Sequence, residues 1–394
     1  MPKLAEQLKP QKRESWRNFC SSFNRSTPIS EVWRSAKALR SGDRPKRFPL
    51  PLDVLSNFAD SICPSYAPES SEVACFPNSS LPNDGNLLVQ PFSLPEFKSI
   101  LFNKGNSAPG EDGISYSILK KLPNEIISLL LNIINALWIT NSVPESWLRF
   151  RIIAIPKRDS DKFRAIAMSS CIRKIVESML NVRLLHWIET NNMLPLNMYG
   201  FRPDCSALDC VTRFTSDIYR ALNEKLFLNA VFLDISSAYD HVHIPTLLTI
   251  LNSLKIPYQF IRFISSLFSR RVLIFSSEDV NISRVSYRGI PQGSSISPVL
   301  FNLYMLSIAR MKTKCTVLMF ADDVLIYSTD KNVSTTSLQL SHSVSQMSHI
   351  LQQLSLSLSS SKCKSMVFTY RPYNIAHSLI SLNGYPLSQC SSHK

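Results

Sequence analysis

The sequence predicts an α+β fold, and two observations carry that prediction. Short apolar runs of strand length, such as NAVFLDIS (Asn229 to Ser236) and VLMFADDVLIYS (Val317 to Ser328), are rich in β-branched and aromatic residues. Longer stretches with apolar residues at helical spacing lie between them, as in LQLSHSVSQMSHILQQL in the 330s to 350s.

In chain order, residues 1–90 mix charge, Ser and Pro, with a short helical pattern at SEVWRSAKALR (Ser30 to Arg40). They are expected to form a connector or small helical extension, with the folded body starting at Pro91. SLPEFKSILFNK then carries Ser93 at a helix cap and Glu96 three residues later, the signature of a capping box. IISLLLNIINALWIT (Ile126 to Thr140) is interrupted by Asn132 and Asn135 and falls short of the roughly 20 residues needed to span a bilayer. It is expected to be a buried helix. RIIAIPKRDSDKFRAIA reads as two apolar segments joined by a polar turn, and NAVFLDIS as a buried strand ending in Asp234. Helices follow from Pro245 to Leu254 and from Tyr258 to Phe268, then a hairpin of VLIFSS and ISRVSY, then a helix starting near Ser297 and Pro298. VLMF and VLIY form a second hairpin. Of only nine glycines, six (Gly105, Gly110, Gly113, Gly200, Gly289 and Gly293) sit in four short stretches, marking where backbone bends or approaches something closely. There is no internal repeat.

Composition narrows the classes of function. Among 394 residues, 43 Lys and Arg against 29 Asp and Glu give a net charge of +14, which favours a polyanionic partner such as nucleic acid. The nine cysteines show no CxxC pair and no Cys/His cluster at zinc spacing, so they read as reduced thiols of an intracellular protein, in cytoplasm or nucleus, and exclude a secreted disulfide scaffold. The basic amino terminus lacks an apolar core and carries Glu6 and Glu14, so no leader signal and no membrane association are expected.

The chemistry concentrates on acids. Asp322 and Asp323 fall at the turn of an apolar hairpin; alone, such a pair is an ordinary turn. Asp234 ends another apolar strand, and if the strands are neighbours the three carboxylates converge. Two carboxylates about 4 Å apart repel by roughly 4 kcal/mol at an effective dielectric of 20. A divalent cation relieves that repulsion, and oxygen donors with open positions suit Mg²⁺. Two such ions support in-line phosphoryl displacement, which is nucleotidyl transfer. Lys157 and Arg164 offer cations to a triphosphate, although such charges are more often merely solvated. Gly289, Pro291, Gln292 and Gly293 precede a helix; they either let backbone approach a base pair or sugar, with the Gln292 amide as donor, or form an ordinary loop-to-helix cap.

In order, SAPGEDGIS, IPK with FRAIA, YGFRP, FLDISSAYD, GIPQGSSISP, FADD, LSLSSSKCKSMVF and SLNGYPL resemble the successive blocks of a non-LTR (LINE-type, jockey-like) retrotransposon reverse transcriptase, over Pro91 to Leu387. The resemblance implies a right-hand polymerase fold: fingers over 91–228, a palm over 229–370, and the start of a truncated thumb over 371–394. It implies Asp234 and Asp322 as principal ligands of two Mg²⁺ ions, with Mn²⁺ as substitute, assisted by Asp323 and the Ile235 carbonyl. Tyr239 matches the steric gate that excludes a ribose 2′-OH, and Lys157 and Arg164 match the residues that grip the triphosphate. Gln292 and Gly293 match the block touching nucleotide and template, and Arg202 matches a basic fingers residue. Lys364 is the expected general acid, with Lys362 as the alternative. The implied partners are an RNA template, a DNA primer, dNTPs and an endonuclease domain encoded elsewhere. Three rivals stay open or are weighed down: a catalytically silent remnant that binds RNA, a group II intron maturase-like enzyme, and an RNA-dependent RNA polymerase, against which Ala238 and Tyr239 speak.

Overall fold

Backbone pairing sorts the strands of the described residues into a four-stranded sheet, a five-stranded sheet and a two-stranded ribbon. In the computed structural model the described residues are 51–63, 86–156, 163–277, 280–382 and 384–390. The helical pattern at Ser30 to Arg40, and Lys157, lie outside them. The elements run α1 (Leu52–Ile62), α2 (Leu94–Asn103), α3 (Asn124–Thr140), β1 (Arg149–Pro156), β2 (Phe163–Met168), α4 (Cys171–Thr190), α5 (Ala207–Asn223) and β3 (Phe227–Leu233). They continue through α6 (Ile244–Ser253), α7 (Tyr258–Phe268), β4 (Arg271–Ser277), β5 (Val280–Ser286), α8 (Ser297–Tyr304), β6 (Thr316–Phe320), β7 (Asp323–Asp330), α9 (Val333–Gln353) and β8 (Lys364–Phe368). Three short strands, β9 (Ser381–Leu382), β10 (Tyr385–Pro386) and β11 (Ser388–Gln389), close the chain. The mixed α+β class expected from the pattern is the one found.

The first sheet has the order β2-β1-β4-β5, and the second β11-β8-β3-β7-β6. β3 sits in the middle of the second sheet, antiparallel to both β7 and β8, and its burial on both faces explains the apolar run from Ala230 to Leu233. Both expected hairpins form, β4 with β5 and β6 with β7.

Helix α4 is the central post, with Ile175, Val176, Met179, Leu180, Leu184 and Ile188 all fully buried. Its buried charges are paired: Arg173 with Glu177 at 2.7 Å, and Arg183 with Glu96 at 2.8 Å. Glu96 belongs to the capping box of α2, where Ser93 accepts from the Glu96 N–H, so the cap also fastens α2 to α4. Helix α9 lays Leu340, Val344, Met347 and Leu351 into the core at spacings of four, three and four; each such burial contributes about 1.5–3 kcal/mol.

Two expectations are corrected. Helix α3 buries only Ile127, Leu131, Ile134 and Trp138, whereas Ile126, Leu129, Ile133 and Ile139 are exposed: one helical face meets the core and the other meets solvent. The folded body begins before Pro91, because α1 sets Phe58 edge-on against Phe163 and Phe275 and Asp60 against Arg284 at 2.9 Å. Within 371–394, the stretch that the resemblance assigns to the start of a thumb, β9 pairs with β10 and β11 joins the second sheet. There β11 runs parallel to β8, and Ile380, Leu382 and Leu387 are buried. Among the described residues no helix is long and apolar enough to cross a membrane.

Candidate active site

Register decides where the acids go. Leu233, the last residue of β3, pairs with Val324 of β7, so Asp234 and Asp322 leave the same end of adjacent strands. Phe320 pairs with Asp323, leaving Ala321 and Asp322 as a two-residue turn with Ala321 at φ 57°. A positive φ at the first turn position matches the twist of a hairpin, but it normally falls to glycine; here an alanine carries it.

Asp234 is held from behind by the segment between α9 and β8. Its carbonyl accepts from Ser359 at 2.8 Å, and its N–H donates to the Cys363 sulfur at 3.5 Å. Ile235 bridges to Leu358, and Ser236 N–H donates to the Ser357 carbonyl. The Lys362 ammonium lies on the Asp234 carboxylate, 3.1 Å from Oδ1 and 3.4 Å from Oδ2. Lys364, the residue favoured from sequence, points elsewhere: it opens β8 opposite Phe232, and its Nζ donates to Ser388 Oγ at 2.7 Å. Two positions separate the lysine at Asp234 from the one that reaches Ser388 of β11.

The three carboxylates expected to converge do not close into one shell. Among the described residues, no three His, Cys, Asp or Glu side chains gather so as to hold a metal ion. Bare carboxylates repel, and the Lys362 ammonium neutralises Asp234 from one side. The donors at the strand ends are nevertheless hard oxygens, and Mg²⁺ is bound through one or two carboxylates plus waters and phosphates, so the set fits that ion.

Tyr239 stacks on Phe301 of α8, with ring centroids 4.5 Å apart at 15°. Its hydroxyl is pushed above the ordinary tyrosine range by burial and then by the negative charge of Asp322. Tyr239 therefore stands within the field of the acid turn. Its carbonyl accepts from Ile290 N–H at 2.8 Å, which ties it to the loop carrying Gln292.

That loop is fixed on two sides. Arg271, only 2% exposed, donates to the carbonyls of Gly289 at 2.6 Å and of Arg288, and to Ser286 Oγ. Burial, and then the charge of Arg173, push its guanidinium down to about 10. At the other side Ala167 N–H donates to the Gln292 carbonyl at 2.9 Å, and a Cβ on Gly293 (φ 116°) would meet the Ala167 carbonyl oxygen at 2.8 Å. The close approach that Gly293 permits is to strand β2, not to open space. Glu177 accepts from Ser295 N–H at 2.9 Å, so the Arg173–Glu177 pair anchors the same loop. The Gln292 side chain is half-buried in a small cavity shared with Asp240, Arg271 and Arg288.

Arg164 is exposed on β2, opposite Ile155 and three residues before Ala167, or about 10 Å along the strand. Arg202 is not directed at open solvent. It grips Glu189 through Nε at 2.9 Å and Nη2 at 2.7 Å, and donates from Nη1 to the carbonyls of Pro195 and Met198. Beside it, Tyr199 N–H donates to the Met319 carbonyl, Met319 N–H donates to the Asn197 carbonyl, and buried Asn302 donates to the Gly200 carbonyl at 2.7 Å.

Sequence reading missed Phe301, Arg271, Asn302 and Glu177. The helix that carries Phe301 and Asn302 was expected from its Ser297–Pro298 start, α4 was not, and no pattern names the partner across space.

Residues 155–386 match the family model described as "Reverse transcriptase (RNA-dependent DNA polymerase)". The chain is 27% identical over 295 residues to "Probable RNA-directed DNA polymerase from transposon X-element" of Drosophila melanogaster, covering 72% of this chain and 32% of the relative. It is 24% identical over 344 residues to "RNA-directed DNA polymerase from mobile element jockey" of Drosophila funebris, covering 84% and 37%. A third relative, "Retrovirus-related Pol polyprotein from type-2 retrotransposable element R2DM" of Drosophila melanogaster, is 26% identical over 214 residues, covering 52% and 19%. The matched region thus spans no more than 37% of these relatives.

Proposed function

The chain belongs to the reverse transcriptase (RNA-dependent DNA polymerase) family, and we propose that it extends a DNA primer on an RNA template with dNTPs, as part of a jockey-like non-LTR element. The observation that carries this is the exit of Asp234 and Asp322 from the same end of β3 and β7. In this reading the second sheet is the palm, and the first sheet with α2 to α4 is the fingers.

Asp234 and Asp322 would hold divalent magnesium, with Asp323 and the Ile235 carbonyl in support. When bound, such ions lower the pKa of the attacking hydroxyl and stabilise the leaving oxygen. The chain's own residues do the rest. Arg164, with Lys157, grips the triphosphate through charge-assisted hydrogen bonds. Tyr239, held flat by Phe301, occupies the space a ribose 2′-OH would need. The Gln292 loop, locked to β2, faces the base pair being formed. Lys362 Nζ, beside Asp234, is better set than Lys364 to donate a proton to departing pyrophosphate. The primer end is the 3′-hydroxyl of a nicked DNA, with the nick made by an endonuclease.

The test is primer extension on an RNA template with dNTPs and Mg²⁺, comparing the chain with Asp322→Ala. Extension by the parent and its loss in the variant are expected. A folded, RNA-binding chain that extends nothing would instead be a catalytically silent RNA binder.

A further inference from the structure

We propose that the YGFRP stretch is a brace for the acid turn, with Arg202, Gly200 and Asn302 acting as positioning residues for Asp322. This deepens the catalytic reading and rests on Asp322 being a metal-holding acid.

The need for a brace comes from the turn itself. β6 is the last strand of its sheet, and Ala321 sits at φ 57° without being glycine. Such a conformation costs energy and persists only where surroundings over-determine it. The surroundings here are residues 197–200. Met198 bridges to Met319 in parallel, and the two flanking hydrogen bonds to Met319, both 2.9 Å, extend pairing on the outer edge of β6. Gly200 then lies against the turn: a Cβ there would meet the Ala321 nitrogen at 2.4 Å and the Phe320 carbonyl carbon at 3.2 Å. No residue but glycine lets the brace come that close.

The brace is held in turn from two sides. Asn302 of α8, 2% exposed, donates to the Gly200 carbonyl. Arg202 converts the following bend into a clamp. Phe201 at φ 57° turns the chain, and the guanidinium then joins Glu189 near the end of α4 to the carbonyls of Pro195 and Met198, on the two sides of Asn197. With these bonds formed, Arg202 reaches the reaction only through backbone. Its motif position is thereby explained without a substrate contact.

The test compares Arg202→Gln, Arg202→Lys and Asn302→Ser with the parent and with Asp322→Ala, each first checked for a cooperative melt. Three readouts are taken: Mn²⁺ binding by paramagnetic resonance, affinity for a primer–template, and kcat and KM for dNTP. Loss of a group that orients a metal ligand typically costs about 10–100-fold in metal affinity or activity. Arg202→Gln should weaken Mn²⁺ binding and lower kcat within that range, leaving KM and primer–template affinity within about twofold. Arg202→Lys, which keeps the charge but not the fork, should fall between. Should Arg202→Gln not fold, Asn302→Ser carries the same expectation through the Gly200 carbonyl alone. Intact Mn²⁺ binding with a raised KM or weakened primer–template affinity would overturn the proposal, because Arg202 would then touch substrate. A parent whose Mn²⁺ binding is no stronger than that of Asp322→Ala would overturn the catalytic reading beneath it.

Discussion

In the proposed function, Tyr239 and Lys362 owe the roles assigned to them to their neighbours. The Tyr239 ring is held parallel to Phe301, whose side chain is fully buried. Removing the support should therefore loosen the gate without removing it. Phe301→Ala is expected to raise rNTP incorporation relative to dNTP, by less than Tyr239→Ala does; single-nucleotide addition with each sugar measures both. Equal discrimination in parent and Tyr239→Ala would sink the gate assignment itself. For the two lysines, a proton donor in the reaction should contribute typically 10²–10⁴-fold. Lys362→Met should lose that much in kcat, and Lys364→Met, which breaks a bond to Ser388, should lose far less. The reverse order would restore the role to Lys364. Both lysines were visible in LSLSSSKCKSMVF, where Lys364 was preferred; the start of β8 at Lys364, and the bond from Lys362 to Asp234, support the proposal for Lys362 instead.

At the scale of the element, α4 connects fold to site. Arg173 and Glu177 are both at 0% side-chain exposure, Arg173 lies over the Phe150 ring at 4.5 Å, and it donates to the carbonyls of Trp147 and Leu267. Removing one partner of a buried pair leaves an uncompensated charge and costs about 3–5 kcal/mol. Glu177→Ala should destabilise by that amount, read as a lower denaturant midpoint, and should also free the Ser295 N–H and so disturb the Gln292 loop. An unchanged midpoint would show that Arg173 is satisfied by its carbonyls and aromatic rings alone. Part of the secondary structure was legible in sequence: the capping box of α2, the span of α7 and both hairpins form where patterning put them, whereas α4 and α5 were not read. Periodicity failed where it could not count neighbours. The run in α3 is apolar nearly all round, but only one face found a partner, and α1 sat in a Pro- and charge-rich stretch whose Phe58 gave no local sign of its docking on Phe163 and Phe275.

For the whole molecule, the charge of +14 makes one prediction. Neutralising phosphates releases counterions, so log affinity for single-stranded RNA should fall linearly with log salt, with a slope near −0.7 for each phosphate engaged. Six such contacts weaken binding by roughly 10²-fold or more between 50 and 200 mM salt. Binding by filter retention that stays flat over that range would contradict backbone tracking. By itself the sequence determined the α+β class and the family, and it offered the acids on which the proposed function rests, because strand and helix periods and the ordered blocks are local properties of the chain. Only the tertiary structure decided that Lys362 rather than Lys364 meets Asp234, that Gly293 approaches β2, and that Arg202 is committed to Glu189 and to backbone carbonyls. Those facts depend on register, on buried partners distant in sequence, and on which backbone lies within a few ångströms of which, and none of these is written in the order of residues along one strand.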